Sequence, residues 1–326
     1  MKISLASGTR LHFGLLGVSD KLLIKDGGIG LLVESPDIKV SIEPAAEFSI
    51  AGTARLNAVA RQVLRQLTHS YKIPPLAISI DADDYLHRGF GFSTQIKLSV
   101  AYGVLFASGY KRSEIADLEL AKILRVGGTS VVGFGAFFHG GLILDLGHRL
   151  KRSVGPSLNY KIAKDDVVIE AAPFPSWTVV LALAANLEEF TMRQERELFA
   201  SSAPVPEREV GVATYHAVMG IWRASRIARF DDFCSAITGL RKIGFKKREI
   251  HVRGRRIERI FELLHRAGLN GISMSSWGPL AFGFCKNENH LDKEVLEEAR
   301  MRGELVRYFI TRADNRPFND RVEIFR

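Results

Sequence analysis

The chain has 326 residues, enough for roughly two domains at about 150 residues each, and ample for a hydrophobic core. With 46% hydrophobic and 25% charged residues it matches ordinary globular proteins, which excludes disordered, collagen-like and coiled-coil classes. Lys and Arg number 45 against 36 Asp and Glu, and this net charge of +9 favours an anionic partner, either a phosphorylated metabolite or a nucleic acid.

Lys2 to Val40 reads as short β-rich runs broken by glycines, as in Gly27-Gly28 and Gly30-Leu31-Leu32-Val33. Arg55 to Ser70 places Leu56, Val59, Val63 and Leu67 at helical spacing and ends before Pro74-Pro75, which cannot continue a helix. Leu76 to Ile80 alternates as a strand. Ile96, Val100, Val104 and Ala107 mark a buried, mostly apolar helix, and a second helix follows with Ser113 as N-cap and Ala116, Leu120, Ile123 and Leu124 inward. The glycine-rich segment Gly127 to Gly141 runs into the strand Leu142-Ile143-Leu144, and the first domain is expected to span 1–169 and the second 170–326. In the second, Trp177 to Leu183 and Leu305 to Thr311 read as strands, and Val205 to Phe230, Phe233 to Ile243 and Arg253 to Arg266 as helices. Between the last of these and the final strand lies the glycine- and serine-rich passage Gly268 to Gly283. Cys234 and Cys285 are too few for a disulfide framework or a four-thiolate zinc site, which points to a reducing, cytoplasmic setting. Apolar stretches such as Trp177 to Leu187 have eleven residues where a membrane span needs about twenty. No membrane partner is expected, and Lys2, Arg10 and His12 leave no apolar region for a secretory signal.

Chemistry first shows at Gly89-Phe90-Gly91-Phe92-Ser93-Thr94-Gln95, a glycine-rich turn between a strand and a buried helix, where backbone N–H groups converge on the positive helix end. The pattern is neither a Walker loop nor a dinucleotide fingerprint, because no Gly-Lys-Ser/Thr follows and Thr94 stands where the third glycine should be. Spacing alone leaves an anion cradle and a tight connection open. Lys97, in the first turn of that helix, opposes the macrodipole; a bound anion would relieve the cost, and so would a side chain reaching solvent. Arg10 and His12 share one strand face, and Asp26 opens Asp26-Gly27-Gly28-Ile29-Gly30; without other information, surface Arg and turn Asp are the simpler account. Ser273-Met274-Ser275-Ser276-Trp277-Gly278-Pro279 is a second small-residue turn, with hydroxyls for a substrate or a tryptophan that only packs. Asp81-Ala82-Asp83-Asp84 fits a loop better than a metal site. Arg241 to Arg266 carries ten basic residues against Glu249, Glu258 and Glu262, which fits a solvated helix face better than a nucleic-acid surface, given its apolar stripe and few aromatics. No His-Glu-x-x-His or nucleophile-elbow pattern occurs.

Taken in order, Arg10 to Leu15, Asp26 to Gly30, Gly89 to Gln95, His216 to Met219 and Ser275 to Pro279 resemble the GHMP kinase superfamily over nearly the whole chain. They resemble most closely its non-kinase branch, the β-ribofuranosylaminobenzene 5′-phosphate synthases of methanopterin biosynthesis. Two strings, Asp-Gly-Gly-Ile-Gly and Ser-Ser-Trp-Gly-Pro, resemble the synthases more than the kinases. Phe90 and Phe92 depart from the smaller residues usual in the phosphate turn, and Arg125 to Ser130 keeps only part of the family's Arg- and Gly-rich run. The resemblance implies an α+β, GHMP-kinase-like two-domain fold, with an N-terminal domain like domain 2 of ribosomal protein S5, a C-terminal ferredoxin-like domain and the site between them. It implies a glycosyltransferase that joins 4-aminobenzoate to phosphoribosyl diphosphate, with release of CO2 and diphosphate, assisted by Mg2+ and working as a homodimer; a nucleic-acid partner is not expected. The alternative in the same fold is a kinase passing the γ-phosphoryl group of ATP to a metabolite hydroxyl. On this resemblance Gly89, Gly91, Ser93, Thr94 and Gln95 hold phosphate together with Lys97, and Arg10 holds a carboxylate or phosphate. Asp26 holds a metal or faces the cationic ribose carbon, and His12, Gly28, Ser275, Ser276, Trp277 and Gly278 contact substrate. It assigns no metal ligands securely.

Overall fold

The computed structural model describes residues 1–149 and 167–325. The N-terminal residues form two long antiparallel strands, Lys2–Gly17 and Ile24–Pro44, rather than short runs broken at glycines. Those glycines stay in the strands because partner backbone passes too close for a side chain: a Cβ on Gly8 would lie 1.9 Å from Val33 O, and one on Gly30 2.2 Å from Leu11 O. Six more strands complete an eight-stranded sheet, among them Leu76–Asp81, Leu142–Asp145 and Ile169–Ala172. The chain's last strand, Val322–Phe325, returns to pair with Lys2–Leu5. The second half of the sequence therefore supplies part of the first sheet.

The second sheet is antiparallel, with spatial order Leu305–Thr311, Thr178–Ala184, Leu280–Cys285, Asn270–Met274. In chain order that is 4-1-3-2, with helices between its first and second and its third and fourth strands, the arrangement of a ferredoxin-like unit. Gly268 to Gly283 is thus a hairpin of two buried strands around the Ser275-to-Pro279 turn.

Two helices lie where periodicity places them. Ala54–Leu67 buries Leu56, Ala60, Val63 and Leu67, and Thr53 Oγ1 caps it by accepting from Leu56 N. Phe92–Ala107 is buried on nearly every face between the first sheet and its neighbouring helices. The next helix begins at Asp117, not at Ser113, because Arg112–Glu114 forms a 3₁₀ turn in which Glu114 Oε2 accepts from Lys111 N at 2.6 Å. Val132–His139 is a helix inside the glycine-rich segment. Its Gly135 is required by close approach, since a Cβ there would sit 2.8 Å from Ile143 Cγ2. Gly244–Arg266 is two helical stretches joined at Gly254, whose backbone is non-helical (φ 61°, ψ −155°).

The main core joins both sheets. Phe13 of the first strand packs against Phe233, Phe282 and Phe284, with ring centroids 6.4, 5.1 and 6.1 Å away. That contact fixes the distance between the two glycine-containing turns.

Candidate active site

The turns meet over the strand Lys2–Gly17. Arg10 N donates to Phe90 O at 2.9 Å, His12 N donates to Ser275 Oγ at 3.0 Å, and Ser275 Oγ donates to Gly89 O at 2.6 Å. The backbones touch so closely that a Cβ on Gly278 would lie 2.4 Å from Arg88 O, and one on Gly89 2.8 Å from Ser275 O; Gly89 also has φ +96°. Two adjoining cavities open there, of about 150 and 300 Å³, and both are bordered by Arg10, Ser93, Thr94, Glu195, Ser276 and Trp277.

At the mouth, helix Phe92–Ala107 begins behind Gly91, in left-handed conformation (φ 71°), with no side-chain cap and no acidic residue in its first turn. Its leading N–H groups and positive dipole end face the cavity. Phe90 and Phe92 do not obstruct it, because they turn inward: Phe90 stacks on Tyr85 at 4.5 Å and Phe92 packs beside both. The aromatic departures in the turn thus belong to the core, and the backbone carries the cradle.

The charge beside this helix end is unusual. Arg10 Nε and Nη1 are buried without a hydrogen-bond partner, and burial lowers the guanidinium to about 10. A buried unpaired cation is costly unless an anion joins it. Lys97 borders the larger cavity and donates to Leu124 O at 3.3 Å; burial, then Arg125, lowers its pKa. The Arg125-to-Ser130 loop forms the opposite wall. His12 Nε2 lies 3.2 Å from Ser130 Oγ, which also contacts Asp145 Oδ2 at 3.2 Å. Burial, with Arg10 and Lys246 adding to it, drops the His12 pKa well below its ordinary value, so the ring is neutral.

Several expected site residues stand elsewhere or are already engaged. Gln95 is buried behind the turn, accepting from Ser7 Oγ at 2.7 Å and donating to Gly133 O at 2.8 Å, so it fastens the helix and borders neither cavity. Ser275 spends its one proton on Gly89 O and joins the two turns. Gly28 lies against the His12 ring, where a Cβ would be 3.0 Å from Nε2, and it positions that ring. Asp26 is not brought to the cavities: from a left-handed position (φ 58°) its carboxylate reaches His148 Nε2 at 3.0 Å, beside a separate apolar hollow lined by Leu23, Ile24 and Leu146. Among the described residues, no group of three or more His, Cys, Asp or Glu is placed to hold a metal ion.

No profile of a known protein family matches the chain. Individual relatives do: the beta-ribofuranosylphenol 5′-phosphate synthase of Archaeoglobus fulgidus is 30% identical over 317 residues, covering 96% of this chain and 98% of that protein. The chain belongs to this synthase family. A second member, from Methanocaldococcus jannaschii, is 28% identical and covers 94% of this chain and 96% of its own. Among solved structures, homoserine kinase from Cytophaga hutchinsonii (14% identity, TM-score 0.63, 97% of this chain and 96% of that one) has the same fold. So does phosphomevalonate kinase from Streptococcus pneumoniae (9%, 0.64, 95% and 99%). The two-sheet α+β architecture of this chain is thus GHMP-kinase-like.

Sequence reasoning missed several of the residues that close the site from the second half of the chain. Glu195 opens the helix Met192–Ser202 and borders both cavities. Its helix was signalled by a capping box, Thr191-x-x-Gln194, in which Gln194 N donates to Thr191 Oγ1 at 3.3 Å and Thr191 N to Gln194 Oε1 at 2.9 Å. Glu249 borders the larger cavity and is ion-paired with Lys246, both within the basic segment. Phe199, also missed, and the expected Trp277, each against Phe245, form an aromatic wall.

Proposed function

We propose that the protein is a decarboxylating C-phosphoribosyltransferase: it joins phosphoribosyl diphosphate to a benzoate carrying an electron-donating para group, releasing diphosphate and CO2. The observation that carries this reading is Arg10, whose Nε and Nη1 are buried with no hydrogen-bond partner among the described residues, at the open start of helix Phe92–Ala107. Fixed dipoles and a cation placed there stabilise the negative charge that develops as diphosphate leaves the ribose C1. The ring carbon bearing the carboxylate, made electron-rich by the para group, attacks C1 and then loses CO2. The wall of Leu15, Phe199 and Trp277 suits the flat acceptor. For the para group, the resemblance favours the amine of 4-aminobenzoate, while kinship to ribofuranosylphenol 5′-phosphate synthases favours the hydroxyl of 4-hydroxybenzoate.

Among the described residues no set of carboxylates fits a protein-held magnesium cage, so Mg2+ belongs to this reading as part of a magnesium–diphosphate substrate. No helix among the described residues is long and apolar enough to cross a membrane, and both cysteines are free and buried, in keeping with a reducing cytoplasm. The exposed Leu23, Ile24 and Leu146, grouped around one hollow, support a homodimer. The test is to incubate the protein with phosphoribosyl diphosphate, magnesium and either acid labelled in its carboxyl group. Labelled CO2 that depends on the diphosphate is expected from at least one acid, and none from either overturns the reading.

A further inference from the structure

Resting on that reading, we propose that the Glu195 carboxylate is the proton acceptor of the reaction: it takes the proton of the acceptor's para N–H or O–H as the ring attacks, and returns it once CO2 has left. Three observations converge on this residue. Glu195 borders both cavities, and among the described residues it is the one acid lining the smaller of them. In the larger, the other acid is Glu249, already held by Lys246, whereas no hydrogen bond reaches the Glu195 carboxylate among the described residues.

Its helix also supplies the apolar wall. Phe199 lies four residues on, hence on the same helix face, and is buried beside Phe245 and Trp277. A ring laid on this wall lies in the cavity that Arg10 and Glu195 both border, within reach of the Glu195 end of the helix.

The reaction supplies the need. When the ring carbon bonds to C1 and the C1–diphosphate bond breaks, the electron pair comes from the para heteroatom, whose remaining proton becomes acidic. Glu195 takes that proton, leaving a neutral dienone or its imine that carries the carboxylate at the attacked carbon. Cleavage of the carbon–carboxylate bond releases CO2 and returns its electron pair to the ring, and the heteroatom recovers the proton from Glu195. No oxidant or reductant enters.

The surroundings tune the group for this task. Burial pushes Glu195 up to about 7, with Arg253 and Arg10 opposing and Glu249 adding to the rise. His12, His87, Lys97, Arg125 and Arg196 are the other titratable and charged groups on the cavity walls among the described residues.

The test compares the full chain with Glu195→Gln and Glu195→Asp, following labelled CO2 from both acids across pH 5–9. Thermal protection by magnesium phosphoribosyl diphosphate is measured in parallel. The expected result is a loss of roughly 100-fold or more in kcat for Glu195→Gln, with protection and the KM for the diphosphate substrate kept, and partial recovery in Glu195→Asp. The wild-type kcat profile is expected to show a limb near pH 7 that Glu195→Gln lacks. Wild-type turnover with Glu195→Gln within a few-fold of it, a limb that survives the substitution, or protection lost in step with kcat overturns the assignment alone. A wild-type protein that releases CO2 from neither acid overturns the functional reading and the assignment together.

Discussion

The first helical stretch of Gly244–Arg266 borders two cavities, and its two faces use the same kinds of residue in opposite ways. Its inner face puts Lys246 and Glu249 into the wall behind the glycine turns, their side chains 0% and 2% exposed, and joins them to Met274 O through Lys246 Nζ at 3.0 Å. Arg253, next along this face, donates to Trp277 O and Glu188 O and stacks over Phe190. Its outer face lines a larger cavity, about 960 Å³, with Lys247, Arg248 and His251. There Arg248 is neutralised by Glu209 at 3.1 Å in a partly exposed pair, and Lys247 is open to water. The larger and more basic cavity is the less informative one, because a solvated cation costs nothing to leave unpaired. Arg10, across the smaller cavity, has Nε and Nη1 buried with no hydrogen-bond partner among the described residues, and unsatisfied atoms in that position are what point to a ligand.

The sharpest way to break this comparison is to remove one charge from each face. Lys246→Met leaves Glu249 buried without its counter-ion and is expected to cost about 3–5 kcal/mol of stability. Lys247→Met, one residue on and exposed, is expected to change it by less than about 0.5 kcal/mol. Urea unfolding of the two variants decides it, and equal losses would mean that the inner pair carries no special weight. Next in size is a contrast in turnover. Arg10→Ala is expected to lower kcat roughly 100- to 1,000-fold, as the loss of one preorganised charge donor does. Its stability should hold or rise, because the unsatisfied buried Nε and Nη1 are gone. Arg248→Ala, whose charge is already balanced, is expected to stay within a few-fold of wild type in the same CO2 assay.

How much of this could be read in the sequence follows the same division. The helices Ala54–Leu67 and Phe92–Ala107, and the turn between Gly89 and Ser93, were legible because each is specified locally: apolar spacing, a proline stop, glycines at positive φ. The meeting of that turn with Ser276 was legible only through resemblance, since the hydrogen bonds among Gly89, His12 and Ser275 span as many as 263 residues. Helix Val132–His139 was hidden because it carries two glycines, of which Gly135 serves close packing against the strand Leu142–Asp145, which overrides propensity. Gln95 and Ser275 were misplaced because a polar residue in a phosphate-like turn reads the same whether it faces a ligand or fastens the turn from behind. Glu195 gave no local signal, standing in Arg193-Gln194-Glu195-Arg196-Glu197, a run that reads as a solvated face. Only its neighbours from Lys2–Gly17 and Gly244–Arg266 make it unusual.

That difference in environment has a consequence for stability with a definite sign. The folded chain holds Glu195's proton up to about pH 7, whereas an unfolded glutamate releases it near its ordinary value of 4.5. Between those two values the folded state binds more protons than the unfolded one, so this residue's contribution to stability falls as pH rises through the window and is lowest above 7. Water in the cavity screens part of the effect, which leaves something on the order of 1 kcal/mol. Glu195→Gln cannot titrate; it is expected to match wild type in unfolding free energy near pH 4 and to exceed it by that amount at pH 8. Glu197→Gln, on the exposed side of the same helix and paired with Arg193 at 2.8 Å, should show no such divergence. If the two glutamine variants track each other across pH, Glu195 is solvated like its neighbour, and the distinction between the cavity wall and the outer surface fails at the residue where it matters most for chemistry.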